Sequence, residues 1–171
     1  LNLSTGHRPV CNPYETIDCF DLETGTVFIS DKEIRSTLSA RVVTIPKLAI
    51  DQISQYLQHL KNIKAYITNI NLDSGQKIGK ALAATGPLFF FFNNTDFIPV
   101  TPGSLDTHSN EILPIKLNWH RHFMRTWLRN QGIHGHTVDA WMGHIGIGGD
   151  SFARYSALGV EDLNGIASKI N

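Results

Sequence analysis

A tyrosine, a histidine and an arginine occur in an order that suits attack on a phosphodiester. Tyr155 follows a Trp-Met-Gly-His segment that ends at His144, and Arg121 lies upstream in a stretch without acidic residues. Covalent cleavage of a phosphodiester requires a nucleophile, donors for the charge on the nonbridging oxygens and an acid for the leaving oxygen. The three residue types match the first two requirements, because a guanidinium or an imidazole can donate hydrogen bonds to phosphate.

The predicted nucleophile needs positive charge around it. A phenol has an ordinary pKa of about 10, so cations near Tyr155 must favour the phenolate. Guanidinium groups suit this task, because they stay charged and donate two parallel hydrogen bonds to phosphate. Arg121 is the first candidate for this role and Arg8 is the second.

Lys32, His144 and Asn118 complete the predicted catalytic set. Lys32 lies in a loop between two predicted strands, from which its ammonium can protonate a leaving 5′ oxygen. His144 follows a glycine at a predicted helix end, where an imidazole either donates to phosphate or caps a carbonyl. Asn118 can donate to phosphate through its amide, although it cannot exchange a proton near neutral pH.

A basic segment surrounds this set, since no acidic residue occurs between Glu111 and Asp139. A helix is predicted over residues 119–130, and 100° per residue divides its side chains between two faces. The apolar face carries His120, Phe123, Met124, Trp127 and Leu128, and we expect His120 to be a buried, hydrogen-bonded residue. The other face is predicted to point outward and carries Asn118, Arg121, His122, Arg125 and Arg129. With Lys116, the side chains of His122, Arg125 and Arg129 are the predicted DNA contacts.

The remaining sequence predicts a small sheet and several helices. Strands are expected over 26–30 and 41–45, as an antiparallel pair joined by a long loop. Helices are expected over 47–66, 74–84, 137–142 and 160–170, and residues 1–6 resemble a helix end. Residues 87–92 suit a buried strand or wedge, and residues 93–110 are predicted to be a loop.

Composition limits the possible classes of protein. The 171 residues, with 42% hydrophobic and 18% charged, predict one globular domain. Equal numbers of basic and acidic residues argue against a chain that depends on nonspecific phosphate attraction. The two cysteines lack CxxC spacing. His120 and His122 point to different faces of a helix, and His134 with His136 lacks carboxylate or thiolate partners, so no metal or other cofactor is expected. No apolar run is long enough for a membrane span.

These residues, in this order, resemble the catalytic domain of the tyrosine recombinase or phage integrase family. The resemblance covers most of the chain and consists of five ordered elements. They are Thr5-Gly6-His7-Arg8-Pro9, the hairpin over residues 26–45 with Lys32, Asn118-Trp119-His120-Arg121-His122, Met142-Gly143-His144 and Tyr155.

The resemblance implies an α+β fold, mainly α-helical with a small antiparallel β-sheet, of the DNA breaking-rejoining type. It implies that Tyr155 attacks DNA to form a 3′-phosphotyrosyl intermediate, with Arg8, Lys32, Asn118, Arg121 and His144 as the other catalytic residues. The implied partner is double-stranded DNA, bound by a homo-tetramer on paired sites without a metal, cofactor or membrane. We further expect a cytoplasmic protein of a bacterium, phage or mobile element. Residues 1–171 would be the catalytic part of a longer chain with a separate N-terminal DNA-binding domain.

The sequence departs from the family pattern at three places. Asn118 occupies the position of the family's usual histidine, and Cys11 replaces the acid that usually follows the first arginine. The interval from His144 to Tyr155 is longer than in compact members and contains glycines. Alternative predictions are therefore a related domain that binds DNA without cutting it, a type IB topoisomerase, and a protein interaction module with the same fold.

Overall fold

The structure, a computed structural model, describes residues 1–9, 14–30, 40–94, 96–112, 116, 118–144 and 158–171, without side chains for 108–112. Lys32, Cys11 and Tyr155 lie outside the described residues. The fold is α+β, mostly helical with a small antiparallel sheet, as predicted.

The helices are α1 (Asn2–Thr5), α2 (Lys47–Ile70), α3 (Leu72–Leu82), α4 (Pro102–Ile112), α5 (Trp119–Asn130), α6 (Gly135–Trp141) and α7 (Val160–Ile170). The strands are β1 (Phe20–Asp21), β2 (Thr26–Ser30), β3 (Ala40–Thr44), β4 (Phe90–Asn93) and β5 (Asp96–Pro99), and a 3₁₀ turn spans Ile17–Cys19.

The three-stranded sheet has the order β1-β2-β3 and is antiparallel throughout. The predicted pairing of β2 with β3 is confirmed, with Val27 opposite Val43. Strand β1, which the sequence analysis did not predict, adds an edge to this pair, because Phe20 pairs with Val27 and is buried. Alternating side chains of the sheet enter the core, as expected for a sheet with one covered face.

Helices α2 and α3 form a closely packed antiparallel pair. Helix α2 continues past its predicted end to Ile70, and Asn71 then caps α3 by accepting a hydrogen bond from the Ser74 amide at 3.1 Å. A Cβ at Gly75 would lie 2.2 Å from the Thr68 hydroxyl oxygen, so only glycine permits this approach.

Residues 93–110 are not the predicted loop. They complete a hairpin, β4 with β5, in which the Phe90 and Phe97 rings stack at 4.1 Å, and they form most of α4. Helix α4 begins at a proline, which suits a first helical position because the missing amide hydrogen would have no partner there. The Thr101 and Ser104 side chains cap this end reciprocally, at 2.8 and 3.2 Å. The predicted strand at residues 87–92 is shorter and half-buried.

The core lies between the three-stranded sheet and helices α5, α6 and α7. Helix α7 packs on β3, and α5 contacts both α1 and α6. Val27, Ile29, Leu128, Trp141 and Ile166 are almost entirely inaccessible to solvent. Of the helices in the described part of the chain, none combines the length and apolarity needed to cross a bilayer.

Candidate functional site

The guanidinium of Arg121 joins three separate segments of the chain. Its Nη1 donates to the carbonyl oxygen of Gly6, and its Nη2 donates to the carbonyl of Met142 at 3.1 Å. The same Nη2 lies 2.8 Å from Nε2 of His144. The segment Thr5–Pro9, helix α5 and the Gly143-His144 segment therefore meet at one buried cation.

The predicted outward orientation of Arg121 is wrong, since its side chain is only 4% exposed. Met124 and Leu128 follow Arg121 at helical spacing and are both buried, so Arg121 belongs to the buried stripe of α5. Phe123, predicted to be apolar-facing, is instead 49% exposed. The prediction for His120 is confirmed, because it is buried and its Nε2 donates to the carbonyl of His7 at 3.0 Å.

A left-handed glycine lies at each of the two carbonyls that Arg121 binds: Gly6 provides one, and Gly143 directly follows Met142, which provides the other. Gly6 ends α1 with a φ of 55°, and Gly143 follows α6 with a φ of 71°. A Cβ on Gly6 would lie 2.7 Å from the Trp141 ring. Both glycines therefore permit a sharp helix end, and Gly6 also permits close packing against Trp141. This explains why glycine occurs in the Thr5-Gly6 and Gly143-His144 pairs.

Arg41 is a second arginine at this junction that the sequence analysis missed. From β3, its Nη2 donates to the carbonyls of Thr5 at 3.3 Å and Gly6 at 3.5 Å. Its Nη1 lies 3.0 Å from the position of a Cβ at Gly143. Strand alternation was the available signal, because Arg41 shares the inward face of β3 with Val43. Arg41 thus connects β3, and with it the three-stranded sheet, to the Arg121 junction.

His144 has one defined tautomer in this arrangement. Arginine only donates, so Nε2 of His144 accepts from Arg121 and the ring proton of the neutral form lies on Nδ1. Nδ1 lies 3.8 Å from a carboxylate oxygen of Asp139. Partial burial and the charges of Arg121, Arg125 and Arg8 lower the pKa of His144, although Asp139 opposes this shift. His144 is therefore neutral near pH 7.

The structure brings Arg121 and His144 into direct contact. Arg8 is half-buried after the turn at Gly6, and its charge contributes to the lowered pKa of His144. Asn118 is exposed immediately before α5, and its side chain does not cap the first turn of that helix. It can therefore present its amide outside the buried junction.

A buried polar network holds the segment before Arg8. The Tyr14 hydroxyl contacts the Thr5 hydroxyl and lies 3.0 Å from Nδ1 of His7. Nδ1 of His7 is also 3.2 Å from the Thr5 hydroxyl, whose proton is donated to the carbonyl of Leu1 at 2.9 Å. No role was predicted for His7 or Tyr14 from the sequence. The position of His7 next to Arg8 was the available local signal, and the contact of Tyr14 with Thr5 and His7 is formed only in the fold.

Two of the four predicted DNA-contacting residues share a carboxylate. Arg125 binds Asp139 through two hydrogen bonds, at 2.8 and 3.2 Å, and Arg129 binds the same carboxylate at 3.0 Å. Partial burial alone would raise the pKa of Asp139, but the hydrogen bond and charge of Arg125, with Arg129 and His144, hold it below the usual value. His122 and Lys116, the other two predicted contacts, are exposed.

No family model, curated protein or solved structure matches this chain.

Replacing Arg121 with alanine should destabilise the fold strongly. The change leaves the carbonyls of Gly6 and Met142 without this donor, and each hydrogen bond to a charged group contributes about 1.5–3 kcal/mol. We expect the free energy of unfolding in urea to fall by about 3 kcal/mol or more. Arg125→Ala is the matched control on the same helix and should cost about 1 kcal/mol or less, since its ion pair is partly exposed. Equal losses in the two variants would contradict the central role of Arg121.

The imidazole of His144 should titrate below the ordinary 6.5. Because the folded-state pKa is lowered, the unfolded chain binds more protons in this range, and His144 makes the fold less stable as pH falls through 6.5. The ring proton resonance of His144, followed by NMR against pH, measures the shift directly, with His144→Gln assigning the signal. Asp139→Asn should lower the midpoint further, since Asp139 is the group that raises it. A midpoint at or above 6.5 in the parent protein would contradict the partly buried position of His144 beside the Arg121 guanidinium.

Proposed function

We propose that this chain is a tyrosine recombinase catalytic domain, which cleaves and rejoins DNA through a 3′-phosphotyrosyl intermediate. The observation that supports it most is the convergence on Arg121 of the Thr5-Gly6 turn and the Gly143-His144 helix end. These segments are far apart in sequence, and they are the same segments that the family resemblance selects. The proposal includes the DNA breaking-rejoining fold.

The charges at the junction suit a phosphodiester. Arg8 and Arg121 are close enough to His144 to lower its pKa, and the same field favours a phosphate anion and a phenolate. Arg8 and Arg121 would carry the charge that builds on the nonbridging oxygens. Neutral His144, oriented by Arg121 at Nε2, would donate its Nδ1 hydrogen to a phosphate oxygen.

The proposed reaction is a balanced exchange of esters. The Tyr155 phenol releases its proton to solvent water, its oxygen forms a bond to phosphorus, and the bond from phosphorus to the 5′ oxygen breaks. Lys32 gives the leaving 5′ oxygen its proton, and Asn118 donates a hydrogen bond to the same phosphate. Attack by a 5′ hydroxyl from another strand reverses these steps and restores Tyr155.

Partners follow from the same proposal. Double-stranded DNA would contact the outer surface of α5 through Lys116, His122, Arg125 and Arg129, with the last two free to exchange Asp139 for phosphate. A homo-tetramer on paired sites would perform strand exchange. It would act in the cytoplasm, and its gene would belong to a bacterium, a phage or a mobile element.

The second candidate function is DNA binding without cleavage. It is favoured by Asn118, which is exposed at the start of α5 and cannot transfer a proton in place of the family's histidine. Relaxation of supercoils, as by a type IB topoisomerase, would use the same chemistry and would be seen as relaxed plasmid without recombined products.

Tyr155→Phe should bind a DNA site as tightly as the parent protein but form no covalent adduct, because the variant lacks only the phenol oxygen. The assay uses a pool of nicked duplexes, in which cleavage near the nick releases a short fragment that carries the freed 5′ hydroxyl. Loss of this fragment prevents rejoining, so any covalent protein–DNA complex accumulates and is seen on a denaturing gel. Tyr66→Phe is the matched control, since Tyr66 is exposed on α2 away from the junction, and it should form adduct like the parent. An adduct of undiminished yield with Tyr155→Phe would exclude Tyr155 as the nucleophile.

Asn118→His separates the two candidate functions in the same assay. If the parent cleaves, the variant should keep or modestly raise adduct formation, and Asn118→Ala should lower it about tenfold, near the value of one hydrogen bond to a charged group. If the parent forms no adduct and Asn118→His does, the chain is a binding domain whose catalytic set is broken at this position. No adduct from the parent or any variant would contradict the proposed enzymatic function.

A further inference from the structure

An aromatic cavity of about 320 Å³ lies beside the Arg8 segment and has no role in the proposed reaction. Its walls come from α1, α2, the segment around Arg8, strand β4 with the residue before it, and the start of α4. We propose that this cavity binds an uncharged, planar aromatic molecule. The proposal concerns binding alone and does not depend on whether the chain cleaves DNA.

The lining selects against a charged ligand. Among the described residues that line the cavity there is no acidic residue, lysine or arginine, and His7 is the one titratable nitrogen side chain. The Tyr56 hydroxyl donates to the carbonyl of Leu88 at 2.8 Å, and burial raises the pKa of Tyr56 to about 12. Burial lowers the pKa of the α-amino group of Leu1, which also lines the cavity. With no lysine, arginine or carboxylate among the described lining side chains, a charged ligand would lose its hydration without a side-chain ion pair in return.

The rings select for a flat aromatic ligand. Tyr14, Tyr56, Phe89, Phe90 and Phe91 all line the cavity. The hydroxyls of both tyrosines are bound to protein groups, so their rings are held in place without a ligand. Aromatic pairs in offset or edge-to-face geometry contribute about 0.5–1.5 kcal/mol each beyond the area they bury.

The position of these rings is fixed by the surrounding fold. The Tyr56 and Phe89 rings lie 5.5 Å apart, and Phe90 stacks on Phe97 at 4.1 Å. The Val100 amide donates to the carbonyl of Phe89 at 2.9 Å, which closes the hairpin behind the cavity. A preformed cavity avoids the cost of ordering the site on binding, and its volume falls near the lower limit of about 300–1,000 Å³ for ligand pockets.

Binding at this cavity would be felt at the Arg8 segment. His7 and Pro9, the two neighbours of Arg8, both line it, and His7 also belongs to the buried network with Thr5 and Tyr14. A ligand in the cavity would therefore stabilise one conformation of this segment.

Fluorescence titration of the full chain with N-phenyl-1-naphthylamine, an uncharged aromatic probe, tests the proposal. We expect one saturable site per chain with a micromolar Kd, and at least tenfold weaker binding of the anionic analogue 8-anilinonaphthalene-1-sulfonate. Leu105→Trp should fill the cavity and weaken binding of the neutral probe at least tenfold. Val160→Trp, at an exposed position on α7 that does not line the cavity, is the matched control and should leave the Kd unchanged.

Circular dichroism establishes that each variant is folded, and Val100→Phe replaces Leu105→Trp if that variant is not. Binding without saturation, tighter binding of the anionic probe, or the same Kd in folded cavity-filling and control variants would overturn the proposal.

Discussion

The buried guanidinium of Arg121 is the constraint on which the arrangement of the site depends. A cation removed from water must be matched by hydrogen-bond acceptors, and here the acceptors include two backbone carbonyls and an imidazole. Satisfying them fixes the end of α1 and the end of α6 relative to α5. The same contacts that stabilise the charge therefore hold the turn before Arg8 and the segment that ends at His144 against α5.

The packing around Arg121 leaves little freedom in this arrangement. Trp141 lies directly beneath Gly6, where a side chain would collide with its ring. Arg41 reaches from β3 to the same turn, so the sheet and the helices are tied to one point. Because α7 packs on β3, the last helix supports the strand that carries Arg41.

Electrostatic balance at the site depends on one acidic residue. Asp139 ends the stretch without acids, and it binds Arg125 and Arg129 while lying near His144. It offsets repulsion among the cations and raises the pKa of His144, which burial and the arginines lower. The Asp139 carboxylate balances the charges of these arginines when no other anion is bound. A phosphate that entered the site would compete with Asp139 for them.

The sequence alone determined the elements whose evidence is local. Apolar spacing predicted α2, α5 and α7, β-branched runs predicted β2 and β3, and glycine positions predicted the helix ends at Gly6 and Gly143. The contact between Arg121 and His144 joins two segments that the family resemblance selected by their order in the sequence. The helix in residues 93–110 was missed, because Pro102 was interpreted as a loop residue rather than a first helical position.

Only the tertiary structure decided which way the charged side chains point. Helical spacing places Arg121 near both Arg125 and Leu128, and the sequence does not say which neighbour shares its environment. The carbonyls of Gly6 and Met142 come from other elements, and they make burial of Arg121 favourable. Likewise, Arg41 and Tyr14 acquire their roles from partners distant in sequence. Burial of a polar group depends on acceptors that other segments supply, so local pattern cannot fix it.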